Sequence, residues 1–100
     1  MKMDIAEKLK LMRESERLTS RAEAADLLGI PQNALWRYET GDSVPKGDVI
    51  MKILNHPRYK KYALWFMTGE TAPESGQIAP ALAHSGPDKI ISSQSDKKIG

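Results

Sequence analysis

Apolar residues in the first two-thirds of the chain recur every three to four positions, the period of helices that bury one face. Ile5, Leu9 and Met12 fall at i, i+4 and i+7 of a first helix, and Asp4 followed by Glu7 is a capping-box-like start for it. Ser20 with Glu23 makes a second capping box. The helix it opens carries Ala24, Leu27 and Leu28 and stops at Gly29, a residue suited to the left-handed turn that ends helices. Pro31 fits the first turn of a third helix, where a missing N–H costs nothing; that helix runs to about Glu39 and ends at Gly41. Pro45 allows a fourth start, and Val49, Ile50, Ile53 and Leu54 give its apolar face. Asn55-His56-Pro57 breaks it, and a fifth helix is predicted from about Arg58 to Met67, ending at Gly69. No stretch alternates with period two over strand length. The expected fold is all-α: a compact five-helix bundle with a central helix-turn-helix and a flexible C-terminal tail.

The boundary of that tail comes from composition. After Gly69 the chain turns to Ala, Pro, Ser, Gly, Gln and charge, which buries too little apolar surface to offset chain entropy. Residues 1–70 are expected to form the domain and 71–100 a disordered tail or linker, with Ile90-Ile91 its only sticky spot.

Bulk properties narrow the classes. At 100 residues one small domain is expected, with a thin core. There is no cysteine, which excludes disulfides and thiol chemistry. Apolar runs such as Ala63 to Met67 are far too short to span a bilayer. Met1-Lys2-Met3-Asp4 turns polar at once, without a signal-peptide core, so a cytosolic protein is the default. The net charge of +2 permits nucleic-acid binding without arguing for it. Residues 71–100 balance Lys89, Lys97 and Lys98 against Glu74, Asp88 and Asp96, so the excess sits in residues 1–70.

Two helices joined by a few residues with Gly at the corner is the form of a helix-turn-helix, although short αα corners occur in many helical proteins. The third helix adds the discriminating observation. At about 100° per residue, Gln32, Asn33, Trp36, Arg37 and Thr40 share one arc of about 140°, while Ala34, Leu35 and Tyr38 face the other way. Asn and Gln can bond adenine N6/N7 and Arg can bond guanine O6/N7 in bidentate fashion. A short, donor-rich helix of this kind suits insertion of its N-terminal end into a major groove.

The stretch Ser20 to Gly41, with its LLGIPQNALWRYETG core, resembles the Cro/lambda-repressor-type (XRE-like) helix-turn-helix family, and temperate-phage or short prophage regulators most of all. The likeness continues through Val44-Pro45 and Trp65-Phe66-Met67-Thr68-Gly69-Glu70, covering roughly residues 4–70. It implies a five-helix DNA-binding domain acting as a repressor, a dimer on a palindromic operator in the bacterial cytoplasm. Its base-contacting positions fall on Gln32, Asn33 and Arg37. Its helix 2 start, usually a Gln on a phosphate, falls on Arg21, where a cation makes a stronger charge contact. Its usual Ser or Thr cap of helix 3 is replaced by Pro31, and the loop before helix 2 carries one extra residue near Thr19. It also pairs Arg13 with Glu39 as an ion pair tying helix 1 to helix 3, against the alternative of two solvated charges. Larger phage repressors add a C-terminal oligomerisation and self-cleavage domain, so the chain reads either as a truncated repressor with its linker or as a complete short regulator.

Other residues carry two readings each. Trp36 either projects from the reading face, onto sugar or a thymine methyl, or tucks against helix 2 or 4. Lys46 and Lys52 are candidate phosphate contacts or plain solvated lysines. Thr40, Asp42 and Ser43 share the loop that flanks the backbone, where N–H groups can bind phosphate and Asp42 would repel it. Helix 5 is apolar almost all round and needs two partners. One is the core; a second copy, meeting Tyr59, Tyr62, Trp65 and Phe66, gives a homodimer, whereas a small domain exposing a few aromatics is the simpler reading. His56 and His84 lack any ligand pattern. No nucleophile–base set and no Gly-rich phosphate loop is found, so no metal, cofactor, small-molecule ligand or enzymatic activity is expected. A protein-interaction module, such as an antitoxin or anti-repressor, is the competing class.

Overall fold

The computed structural model describes residues 3–84. Five α-helices follow one another: α1 (Ile5–Ser15), α2 (Arg21–Leu28), α3 (Gln32–Thr40), α4 (Gly47–Leu54) and α5 (Ala63–Thr68). Short 3₁₀ turns lie at Lys60–Tyr62, Pro73–Ser75 and Ala81–His84. The all-α expectation holds, and the one pairing of extended residues among those described is a bridge between Ala72 and Gln77. No described helix is long and apolar enough to cross a membrane.

The starts and stops are the ones the sequence chemistry dictates. Asp4 Oδ1 accepts from the Glu7 N–H at 2.9 Å, and Ser20 Oγ accepts from the Glu23 N–H at 3.3 Å, each satisfying a donor that the first turn leaves open. Gly29 ends α2 at φ 73° and Gly41 ends α3 at φ 85°, a left-handed backbone that a Cβ would penalise. Leu9, Met12, Leu18, Ala24, Ala25, Leu28, Leu35 and Ile53 converge in one core, with α3 lying against both α1 and α2.

Two expectations are corrected. Helix 5 does not begin near Arg58. α4 ends at Leu54 with Asn55 as its cap, the His56 carbonyl accepts from the Tyr59 and Lys60 N–H groups, and a 3₁₀ turn precedes α5. The packed domain also does not stop at residue 70. Gln77 bonds the Leu64 N–H and the Lys60 carbonyl at 3.0 Å each, Ile78 N–H bonds the Lys61 carbonyl at 2.9 Å, and Leu82 N–H bonds Ser15 Oγ at 3.1 Å. Pro80 is fully buried and the last 3₁₀ turn lies on α1. The remainder of the expected tail, including Ile90-Ile91, lies outside the described residues.

The C-terminal end of α1 is fastened to this region through Glu16. Its carboxylate accepts from Arg58 Nε at 3.1 Å and from the Tyr62 hydroxyl, and pairs with Lys61 Nζ at 2.8 Å. Burial alone would raise the Glu16 pKa; the bonds from Lys61, Tyr62 and Arg58 outweigh it and hold the group below its ordinary 4.5. A depressed carboxyl pKa stabilises the fold above the unfolded value, and that contribution disappears as pH falls through the folded value. Stability is therefore expected to decline on acidification below pH 4.5. Urea midpoints across that range measure it, and Glu16→Gln should flatten the acid limb. An acid limb equally steep in the variant would assign the decline to other carboxylates.

Candidate nucleic-acid interface

Position 39 faces the protein interior from the last turn of α3, and the Glu39 side chain is 0% exposed. A carboxylate there needs charge partners and hydrogen bonds. Arg13 Nε from α1 meets Glu39 Oε2 at 2.9 Å, and Arg21 Nε from the start of α2 meets Oε1 at 2.9 Å. The Arg13 side chain is itself 6% exposed, and its Nη1 donates to the Leu18 carbonyl at 2.8 Å. The expected Arg13–Glu39 pair is thus present as two cations on one anion, and it locks α1, α2 and α3 together.

With its inner side fixed, α3 shows solvent the face the helical wheel assigned to it. Gln32, Asn33, Trp36, Arg37 and Thr40 are all exposed, Trp36 at 49%, while Leu35 is buried. Trp36 therefore projects outward and does not tuck beneath α2 or α4. Pro31 supplies no capping side chain, yet α3 begins directly after it because its carbonyl accepts from the Ala34 and Leu35 N–H groups at 3.1 Å each. The missing cap leaves the exposed end of α3 without a side chain folded over it.

Two open hollows flank this ridge. One, about 460 Å³, is lined by Arg21, Gln32, Asn33 and Trp36. The other, about 390 Å³, lies between α3 and α4 and includes Arg37, Ser43, Lys46 and Asp48. Each hollow has a cation on its wall. Arg21 reaches the first with its side chain a third exposed, although its Nε is committed to Glu39. Lys46 is exposed at the position before α4. Thr40 is exposed too, with its hydroxyl donating to the Arg37 carbonyl at 3.3 Å.

Other candidates sit elsewhere. Lys52 is in the last turn of α4, not at its start, and its Nζ donates to the Gly29 carbonyl at 2.8 Å. Its amine fastens the α2–α3 corner to α4. Tyr59, Tyr62, Trp65 and Phe66 are buried in the protomer's own core and cannot form the expected dimer face. The second partner that helix 5 required is α1: Lys8 Nζ caps the Phe66 carbonyl at 2.8 Å and lies 5.7 Å from the Trp65 ring centre. Burial, with Glu39 and Glu16 nearby, pushes the Tyr59 phenol up to about 12. Among the described residues after Tyr59, the exposed large apolar side chains are Met67, Ile78 and Leu82.

One member of the site carries more than sequence reasoning gave it. Arg37 Nε pairs with Asp42 Oδ2 at 3.3 Å. The signal available was the Arg-x₃-x-Asp spacing across Gly41, whose left-handed turn brings residue 42 back beside residue 37.

Comparison with known proteins agrees with this geometry. A family model described as a helix-turn-helix domain matches residues 4–56, which contain all of α1 to α4. The chain is also 54% identical over 96 residues to Repressor protein C of Escherichia phage P2, covering 96% of each.

Proposed function

The chain belongs to the helix-turn-helix family of phage repressors, and from that premise we propose that it represses transcription by laying α3 in the major groove of an operator. The observation that carries this reading is the exposed amide, guanidinium and indole face of α3, held by a buried charge cluster on its inner side. Gln32, Asn33 and Arg37 read base edges. Trp36 packs on sugar or a thymine methyl. Arg21, Thr40 and Lys46 contact phosphates on either side and set the register. A repressor bound over a promoter excludes polymerase, and no chemistry is required of it.

The same reading extends to two copies on a palindromic operator. A nine-residue helix is about 14 Å long and covers about four base pairs. That is too few to single out one site among about 10⁶ competitors, so two half-sites read together supply the missing discrimination. In a twofold arrangement their centres lie about 34 Å apart and run in opposite directions. A selected site with a single element, or with two elements in the same direction, would contradict the twofold part and leave the reading of α3 intact.

Salt titration tests the phosphate contacts. Lys46→Ala is expected to weaken binding to every duplex alike and to lower the slope of log K against log salt by about 1 per protomer. An unchanged slope would remove Lys46 from the interface.

A further inference from the structure

Asp42 is an acidic residue on a surface that must approach a polyanion. It is held where it is. Gly41 turns the chain back at φ 85°, Ser43 N–H donates to the Arg37 carbonyl at 3.1 Å, and Thr40 Oγ1 donates to the same carbonyl at 3.3 Å. The loop is thus pinned to the residue whose side chain Asp42 meets. The Arg37 and Asp42 side chains are 52% and 61% exposed, and an ion pair that open to water adds little to folding.

We propose that Asp42 is a specificity-determining residue, acting on DNA through Arg37. Resting on the reading of α3 above, the argument has an attractive and a repulsive half. Asp42 Oδ2 lies 3.3 Å from Nε as an ion-pair contact, on a guanidinium that has five N–H donors in a rigid fork. The terminal nitrogens stay available, oriented and with less freedom to lose, for the O6/N7 edge of a guanine. On any other sequence Arg37 gains most by swinging onto a phosphate. To do so it must leave Asp42, which strands an unpaired carboxylate beside the backbone. The correct site keeps the pair and a wrong site breaks it, so the carboxylate widens the difference between them.

The test uses Asp42→Asn and Asp42→Ala in the full chain, with thermal melts matching the unmodified protein as the check on folding. Affinities are measured at one salt concentration for the selected site, for that site altered at the base pair that Arg37→Ala relaxes, and for random duplex. The unmodified protein is expected to discriminate at that base pair by about 5- to 150-fold. Both variants should lose most of that factor and bind random duplex several-fold more tightly. In an Arg37→Ala background, Asp42→Asn should no longer tighten binding to random duplex. If random binding rises while discrimination persists, Asp42 is a general repulsive charge and the proposal fails. If binding to random duplex tightens equally without Arg37, the route through Arg37 fails. If the unmodified protein selects no sequence at all, the reading of α3 falls and this one with it.

Discussion

Glu39→Ala is expected to cost about 3–5 kcal/mol of folding stability. The substitution removes the anion and leaves its main partner in place. Arg13 would then sit with its guanidinium almost wholly buried, bonded to the Leu18 carbonyl and 3.9 Å from Glu14. An uncompensated buried cation is far more expensive than the pair was beneficial. A domain of this size has about 5–10 kcal/mol in total, so the loss removes a large fraction of its stability and the urea midpoint should fall steeply. Arg21→Ala should cost much less, about 1 kcal/mol, because its side chain is a third exposed and Arg13 still covers Glu39. Urea unfolding followed by tryptophan fluorescence orders the two. A Glu39→Ala protein within about 1 kcal/mol of the unmodified one would mean that helix packing alone sets the angle of α3.

Arg37→Ala is expected to act on recognition and leave the fold alone. The side chain is half exposed and its one ion-pair partner among the described residues is the equally exposed Asp42, so melting should barely move. Binding to the selected operator should weaken by about 1–3 kcal/mol, with the preference relaxed at one base pair and retained at the others. A phosphate contact would behave differently: affinity for all sequences would fall together and the salt slope would decrease by about 1. Quantitative binding to the operator and to its single-base variants distinguishes the two. Uniform weakening would move Arg37 from the base-reading to the phosphate group.

Arg37 lies on a face that local sequence rules describe well, whereas the Arg13–Glu39 pair was legible only through the family resemblance. N-cap side chains at Asp4 and Ser20 and left-handed glycines at 29, 41 and 69 are short-range chemistry that the structure uses, although the return bonds of the two capping boxes, to the Glu7 and Glu23 carboxylates, are not formed. The face of α3 follows from helical geometry alone. What periodicity did not carry was the identity of the partner across a buried face. The apolar pattern of helix 5 calls for a second surface, and the contacts found there are Lys8 of α1 on Phe66 and Trp65 and Gln77 on Leu64. The segment beyond residue 70 looked featureless because it is anchored by polar bonds from Gln77, Ile78 and Leu82, one buried proline and only small apolar residues, Ala79 and Ala83, against the core. Lys52 and Arg21 went partly unread for a similar reason. Each is a surface-type residue whose charge is committed to a group distant in sequence, Gly29 and Glu39 respectively. Hydrophobic patterning has no signal for such pairs.

The central claim is that the exposed face of α3 reads bases. The direct test is selection from a random duplex pool, run in parallel with the unmodified protein and with a Gln32→Ala, Asn33→Ala, Arg37→Ala variant. All three positions are exposed, so the variant should fold, which its melting curve verifies. The unmodified protein is expected to enrich one defined motif. The variant should still retain DNA at low salt through Arg21 and Lys46, while its recovered pool stays close to random. Enrichment of the same motif by both proteins, or of none by the unmodified one, would contradict the claim.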